Sequence, residues 1–155
     1  MATNQEFLKQ RIQSDMKASM KSGDKPRLGV IRLMMAAIKQ QEVDERITLN
    51  DAQIIAVLDK MVKQRRESVS QYQPAGREDL ASAEEAEISV IKEYLPEALT
   101  DGEIARMIET AVASVGAESI RDMGKVMAGL KPHMQGRADM AEVSARVKSR
   151  LSSNG

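Results

Sequence analysis

Residues 95–104 read LPEALTDGEI. Pro96 has no amide hydrogen and its ring restricts the residue before it, so a helix arriving from the N-terminal side stops there. Thr100 and Glu103 stand at the spacing of a capping box, in which each side chain accepts the other residue's free amide. One helix ends and another begins within five residues. The stretch predicts a boundary between an N-terminal part, 1–98, and a tail, 99–155.

Upstream, the apolar residues recur at helical spacing. Thr3 is a cap for a first helix with the stripe Leu8, Ile12, Met16 and Met20, closed by Ser22-Gly23-Asp24. Pro26 suits the first turn of a second helix, where no donor is missed; its stripe is Leu28, Ile31, Met35 and Ile38. Residues 43–49 read as a connection. Thr48 with Asp51 is a candidate capping box for a long third helix carrying Ile55, Leu58, Val62, Val69 and Tyr72. QPAG at 73–76 breaks it, and a fourth helix follows over 77–95 with Leu80, Ile88, Ile91 and Leu95.

Downstream, the helix opened by Thr100 carries Ile104, Met107, Ile108 and Ala111 and ends at Gly116, the position where a left-handed residue is wanted. Ser119 with Asp122 caps a sixth helix bearing Met123, Met127 and Leu130, stopped by Pro132. Asp139 caps a seventh, with Val143, Val147 and Leu151, and 152–155 read as a frayed end. Strand signals are missing, and the few aromatics, Phe7, Tyr72 and Tyr94, leave the core to Leu, Ile, Val, Met and Ala. The expected fold is all-α: four helices, then a three-helix tail.

Composition narrows the chemistry. Lys plus Arg and Asp plus Glu are balanced at 23 each, so any basic surface must come from local segregation of charge. There is no cysteine and one histidine, His133, read as a solvated turn residue. No His-Glu-x-x-His or Gly-x-Ser-x-Gly pattern occurs, so neither a metal, a cofactor nor a catalytic residue is assigned. No apolar run approaches the roughly 20 residues that span a bilayer. With no secretory start at the N-terminus, these features read as a soluble cytoplasmic protein.

Residues 122–143, DMGKVMAGLKPHMQGRADMAEV, hold two glycine-cation pairs, Gly124-Lys125 and Gly136-Arg137. A phosphate-binding P-loop would need glycine at 119 and Ser or Thr at 126, where Ser119 and Val126 stand, and a preceding strand. The stretch is therefore no nucleotide cradle. Gly124 inside a helix costs about 1 kcal/mol against alanine, which close approach of a second helix or of a ligand can offset. From 116 to 151 there are seven cations and four anions and no aromatic residue. Such a surface suits the phosphates and shape of folded RNA, or is an ordinary solvated face. A second basic patch, Lys60, Lys63, Arg65 and Arg66, faces a fourth helix rich in Glu. It reads either as two helices pairing their charges or as a nucleic-acid groove, against which the acidic neighbour argues.

The whole chain resembles the YqeY family, the free-standing members of the GatB/YqeY group. The resemblance rests on SDMKASMKSGDKPRLGVIRLMMAAIK (14–39), VKQRRESVSQY (62–72), AGREDLA (75–81), EYLPEALTDGEI (93–104), DMGKVMAGL (122–130) and GRAD (136–139). The tail, 100–151, is similar to the C-terminal domain of GatB, a subunit of tRNA-dependent amidotransferase; a related domain is appended to some glutaminyl-tRNA synthetases. The resemblance implies a tRNA-binding module, non-catalytic alone, accessory to tRNA-dependent amidation or aminoacylation. An amidotransferase or an aminoacyl-tRNA synthetase is then a possible partner. It implies that Gly124, Lys125, Gly136 and Arg137, with Lys131 between them, lie at the tRNA-facing surface. Met140 and Ala141 stand where the family often has a further glycine and cation. The alternatives are a component of a glutamine-dependent carbon–nitrogen ligase active only in complex, and a helical protein–protein adaptor.

Overall fold

The computed structural model describes residues 7–153, and every regular element among them is helical. The helices are α1 (Phe7–Ser22), α2 (Lys25–Glu45), α3 (Asp51–Tyr72), α4 (Glu78–Lys92), α5 (Asp101–Val115), α6 (Met123–Met134) and α7 (Met140–Ser152), with a 3-10 turn, Ile120–Asp122, leading into α6. The backbone divides into two compact units, Met1–Leu95 and Pro96–Gly155. The expected cap Thr3 and the expected frayed residues 154 and 155 lie outside the described residues.

In the first unit α3 pairs with α4 and α1 with α2. The residues that close the core are Ile12, Ile31, Met34, Ile38, Leu49, Ile54, Leu58 and Ile91, all almost fully buried. α2 runs three residues into the expected connection, because nothing at Val43–Glu45 breaks a helix; it stops where Arg46 adopts φ +57° and donates its amide to the Glu42 carbonyl. α3 is capped by Asn50 rather than Thr48. Asn50 accepts the amide of Gln53 and Gln53 accepts the amide of Asn50, both at 2.9 Å. Asp51, the expected partner of Thr48, instead accepts the Leu8 amide of α1 at 3.0 Å.

α4 stops at Lys92, three residues short of the expected end. The chain tightens through Tyr94 and Leu95, whose amides reach back to Ile91 and Lys92. A tight turn of this kind is favoured where the residue before a proline resists the α conformation. Tyr94 is 3% exposed and fastens this turn. Its hydroxyl donates to Asp15 at 2.5 Å and accepts from Arg27 at 3.2 Å, and the Arg11 guanidinium lies 4.8 Å from its ring centroid. Burial and the Asp15 carboxylate push the Tyr94 hydroxyl up to about 12, so it stays a donor at any ordinary pH.

In the second unit, Ile104 and Ile108 of α5, Val126, Leu130 and Met134 of α6, and Val143, Val147 and Leu151 of α7 form the core. The Thr100/Glu103 capping box, the left-handed Gly116 (φ +63°) and the Asp139 cap all form as the spacing predicts. Ser119 and Asp122 cap the 3-10 turn rather than α6 directly. Pro132 does not stop α6, which continues to Met134. A proline this close to the C-terminus costs one internal hydrogen bond, and the two further residues bury Met134 completely. His133 therefore sits in the last helical turn, exposed, rather than in a connecting turn.

The connection from α2 to α3 is held by one carboxylate. Glu42 receives the Lys9 ammonium at 2.9 and 3.0 Å and the Leu49 amide at 2.9 Å. The Leu49 amide, and then Lys9, hold this carboxyl below the usual glutamate range. A depressed carboxyl stabilises the fold above its unfolded value, about 4.3, and the contribution is lost as pH falls through the folded value. Glu42→Gln should therefore lower stability by about 1 kcal/mol at pH 7, a figure that allows for partial solvent screening. Thermal melts of variant and parent should draw together as pH falls from about 4.3 through the folded value. An equal deficit at pH 3 and pH 7 would mean that the charge is not what matters.

Candidate nucleic-acid interface

The 3-10 turn and α6 present one face without large apolar side chains. Arg121, Gly124, Lys125, Ala128, Gly129 and Pro132 are all exposed. At about 100° per residue they fall within one side of the helix, opposite the buried Val126, Leu130 and Met134. A Cβ added at Gly124 or at Gly129 would meet no atom within 4 Å. Packing within the chain thus does not explain either glycine, and the helix backbone lies open to an approaching ligand.

Charge at the start of this face is partly internal. Asp122 accepts the amides of Glu118 at 2.9 Å and Ser119 at 3.3 Å. Those two donors, followed by the nearby Lys125 and Arg121 cations, keep its carboxyl below the ordinary aspartate range. Lys125, Gly129 and His133, four residues apart, follow one line along α6. Gly129 and His133 also wall an open groove of about 380 Å³ against α5, lined there by Arg106, Met107, Thr110 and Ala111. The sequence reading did not single out Gly129 or Arg106; the i, i+4 spacing from Lys125 could have found the first.

The other named residues lie elsewhere. Lys131 is exposed but about 240° around α6 from Lys125. Gly136 (φ +79°) makes the left-handed bend after α6. Arg137, half-buried, fastens the chain leading into α5: its Nε donates to the Glu97 carbonyl at 3.0 Å, and its own carbonyl accepts the Leu99 amide at 2.9 Å. The Thr100 amide holds Glu103 below the usual range, with Arg137 and Arg106 adding smaller electrostatic pulls. Two more tail cations are committed. Arg150 pairs with Glu109 through 2.6 and 3.0 Å contacts, and Arg146 reaches Asp101 at 3.5 Å. Exposed cations without such commitments include Arg121, Lys125, Lys131 and Lys148.

In the first unit, Arg65 is one of the charges paired across two helices. Its Nε lies 3.0 Å from Glu87 and 4.0 Å from Glu84 of α4. Lys60, Lys63 and Arg66 remain exposed along α3. No group of three or more potential metal ligands occurs among the described residues, and no described helix is long and apolar enough to cross a membrane.

A family model described as Yqey-like protein matches residues 9–151. The protein named altered inheritance of mitochondria protein 41, mitochondrial, of Pyrenophora tritici-repentis is 30% identical over 141 residues, covering 89% of this chain and 77% of that protein. Its namesake in Vanderwaltozyma polyspora is 34% identical over 85 residues, 54% of this chain and 46% of that protein. The Lachancea thermotolerans namesake is 25% identical over 155 residues, covering 94% and 83%. These names point to mitochondria rather than to the cytoplasm, and the cytoplasmic expectation is withdrawn. Its grounds were weak in physical terms: lacking cysteine and a bilayer-length apolar run does not tell one reducing aqueous compartment from another.

Gly124→Ala should raise the melting temperature, since alanine removes up to about 1 kcal/mol of helix cost and its methyl meets nothing. A loss of stability in calorimetry would show that the space at Gly124 is not open.

Proposed function

The chain belongs to the Yqey-like protein family, and on that premise we propose that its second unit is a tRNA-binding module. It is non-catalytic alone and accessory to tRNA-dependent amidation or aminoacylation. The observation that carries this reading is the exposed α6 face on which Gly124 and Gly129 leave the backbone bare beside Arg121 and Lys125. A phosphodiester ridge needs close approach and cations, and a surface without aromatic residues suits backbone and shape recognition better than base stacking. The resemblance of 100–151 to the C-terminal domain of GatB supports tRNA as the RNA class. The absence of cysteine supports a partner, rather than this chain, as the source of any amidotransferase chemistry.

Lys125→Glu should weaken binding of unfractionated tRNA several-fold without moving the melting temperature. It should also flatten the slope of log affinity against log salt by roughly 0.7 to 0.9, the loss of one phosphate contact. Lys131→Glu, on another side of α6, should do much less. Arg137→Glu should lower both affinity and stability, because it removes the Glu97 fastening as well as a charge. If filter binding shows no change of slope for Lys125→Glu, this face is not the RNA site, and Lys60, Lys63 and Arg66 of α3 become the alternative.

We further read the four-helix and three-helix parts as separately folding domains, each with its own caps and core. A fragment of residues 96–155 should be helical by circular dichroism and retain tRNA binding, although its small core leaves it marginal. An unfolded fragment from a stable parent would instead mean that the two parts depend on each other.

A further inference from the structure

α2 buries Val30, Ile31, Met34 and Ile38 in its unit. Its opposite face is not the charged surface such a helix normally shows to water. Gly29, Leu33, Ala36, Gln40 and Val43 are all exposed, and they recur in alternating steps of four and three. Ile47, exposed too, lies just past the left-handed Arg46 that ends the helix. Leu33, Val43 and Ile47 are 46%, 62% and 41% exposed. This is the spacing of a coiled-coil seam, exposed on the unit's own surface.

Two further observations bear on what the seam meets. Gly29 lies inside the helix, and a Cβ added there would meet no atom within 4 Å. Its cost of about 1 kcal/mol against alanine therefore has no return within the chain, whereas a second helix crossing at Gly29 would supply one. Along one edge of the seam stand Lys25, Arg32, Lys39 and Arg46, each seven residues from the next, about 10.5 Å along the axis. All four are exposed, and none forms an ion pair within the described residues. The other edge carries Val30, Ala37 and Asp44, whose carboxylate already accepts the Gln40 amide at 2.9 Å.

We propose that this outer seam of α2 docks an amphipathic helix of a partner protein, one with apolar residues at its own seam and a row of Asp or Glu opposite the four cations. Charge complementarity selects that occupant. Two copies of α2 packed antiparallel would set cation row against cation row; packed parallel, each row would meet Val30, Ala37 and a single Asp44. A nucleic acid would use the cations and leave Leu33, Val43 and Ile47 in water.

The test uses the full chain and two synthetic helices of about 20 residues with Leu at the seam positions. One is flanked by Glu, the other by Lys. Fluorescence anisotropy should show the Glu-flanked helix bound at least about tenfold more tightly. Leu33→Glu with Val43→Glu should abolish binding without changing the melting temperature, and Leu33→Gln should weaken it should the double variant prove poorly folded. Arg32→Glu with Lys39→Glu should transfer the preference to the Lys-flanked helix. Equal binding of the two helices, or none up to roughly 1 mM, would overturn the proposal. So would a dimer of the parent, seen by sedimentation, that Leu33→Gln dissociates, because a second copy would then hold the seam. Loss of tRNA binding in the Arg32/Lys39 variant, with no peptide binding in the parent, would assign the cations to nucleic acid instead.

Discussion

Each helix begins with amides that have no partner inside it, and in this chain that requirement places almost everything else. Asp24, Asn50, Thr100, Ser119 and Asp139 each accept an amide at a helix or turn start. Fixing the first residue of a helix fixes the phase of its apolar stripe, because each residue advances the side chain by about 100°. A cap moved by two residues would turn the stripe by about 200° and put the core face in water. The connections are short and the core takes only one aromatic side chain, Tyr94, so little slack exists to absorb such an error. Glu42 does the same for the α2–α3 connection, holding the Leu49 amide so that Leu49 itself can be buried.

The same economy governs charge. Counting residues suggested a positive tail, but geometry withdraws several of those cations. Arg150 and Arg146 join α7 to the acidic residues Glu109 and Asp101 of α5, and Arg137 holds the Glu97 carbonyl. Exposed ion pairs of this kind contribute little stability each, but they consume the donors that a phosphate would need. The positive surface left on α6 is small and adjoins bare backbone at Gly124 and Gly129.

What could be read from the sequence depended on whether a signal was local. Thr100/Glu103, Gly116 and Asp139 act within four residues, and each was legible. Thr48 was misread because its spacing to Asp51 matched a capping box, while the competing use of Asp51 by the Leu8 amide is a contact between residues far apart in sequence. Pro132 was misread as a stop because the burial of Met134, which favours two further residues of helix, is tertiary. For the candidate site, Lys125 and Gly124 were legible as a pair. The fastening role of Arg137 was not, since it exists only once the chain at 97–99 returns to the bend after α6.

Helices α2 and α6 share a property that bears on function. A helix that only packs into its own unit carries one apolar stripe and one charged face. α2 carries a second apolar stripe edged by cations without an ion pair among the described residues, and α6 carries an outer face of glycine, alanine and cations. Neither pattern stabilises an isolated unit. Exposed Leu and Val gain nothing from water, and internal glycines cost helix stability. Both patterns are therefore best understood as surfaces whose stabilising partner is another molecule. Their chemistries differ: α2 offers side-chain bulk to be buried, whereas α6 offers backbone to be approached. The first pattern complements the bulk of an apolar helix, and the second the close approach of a phosphate ridge.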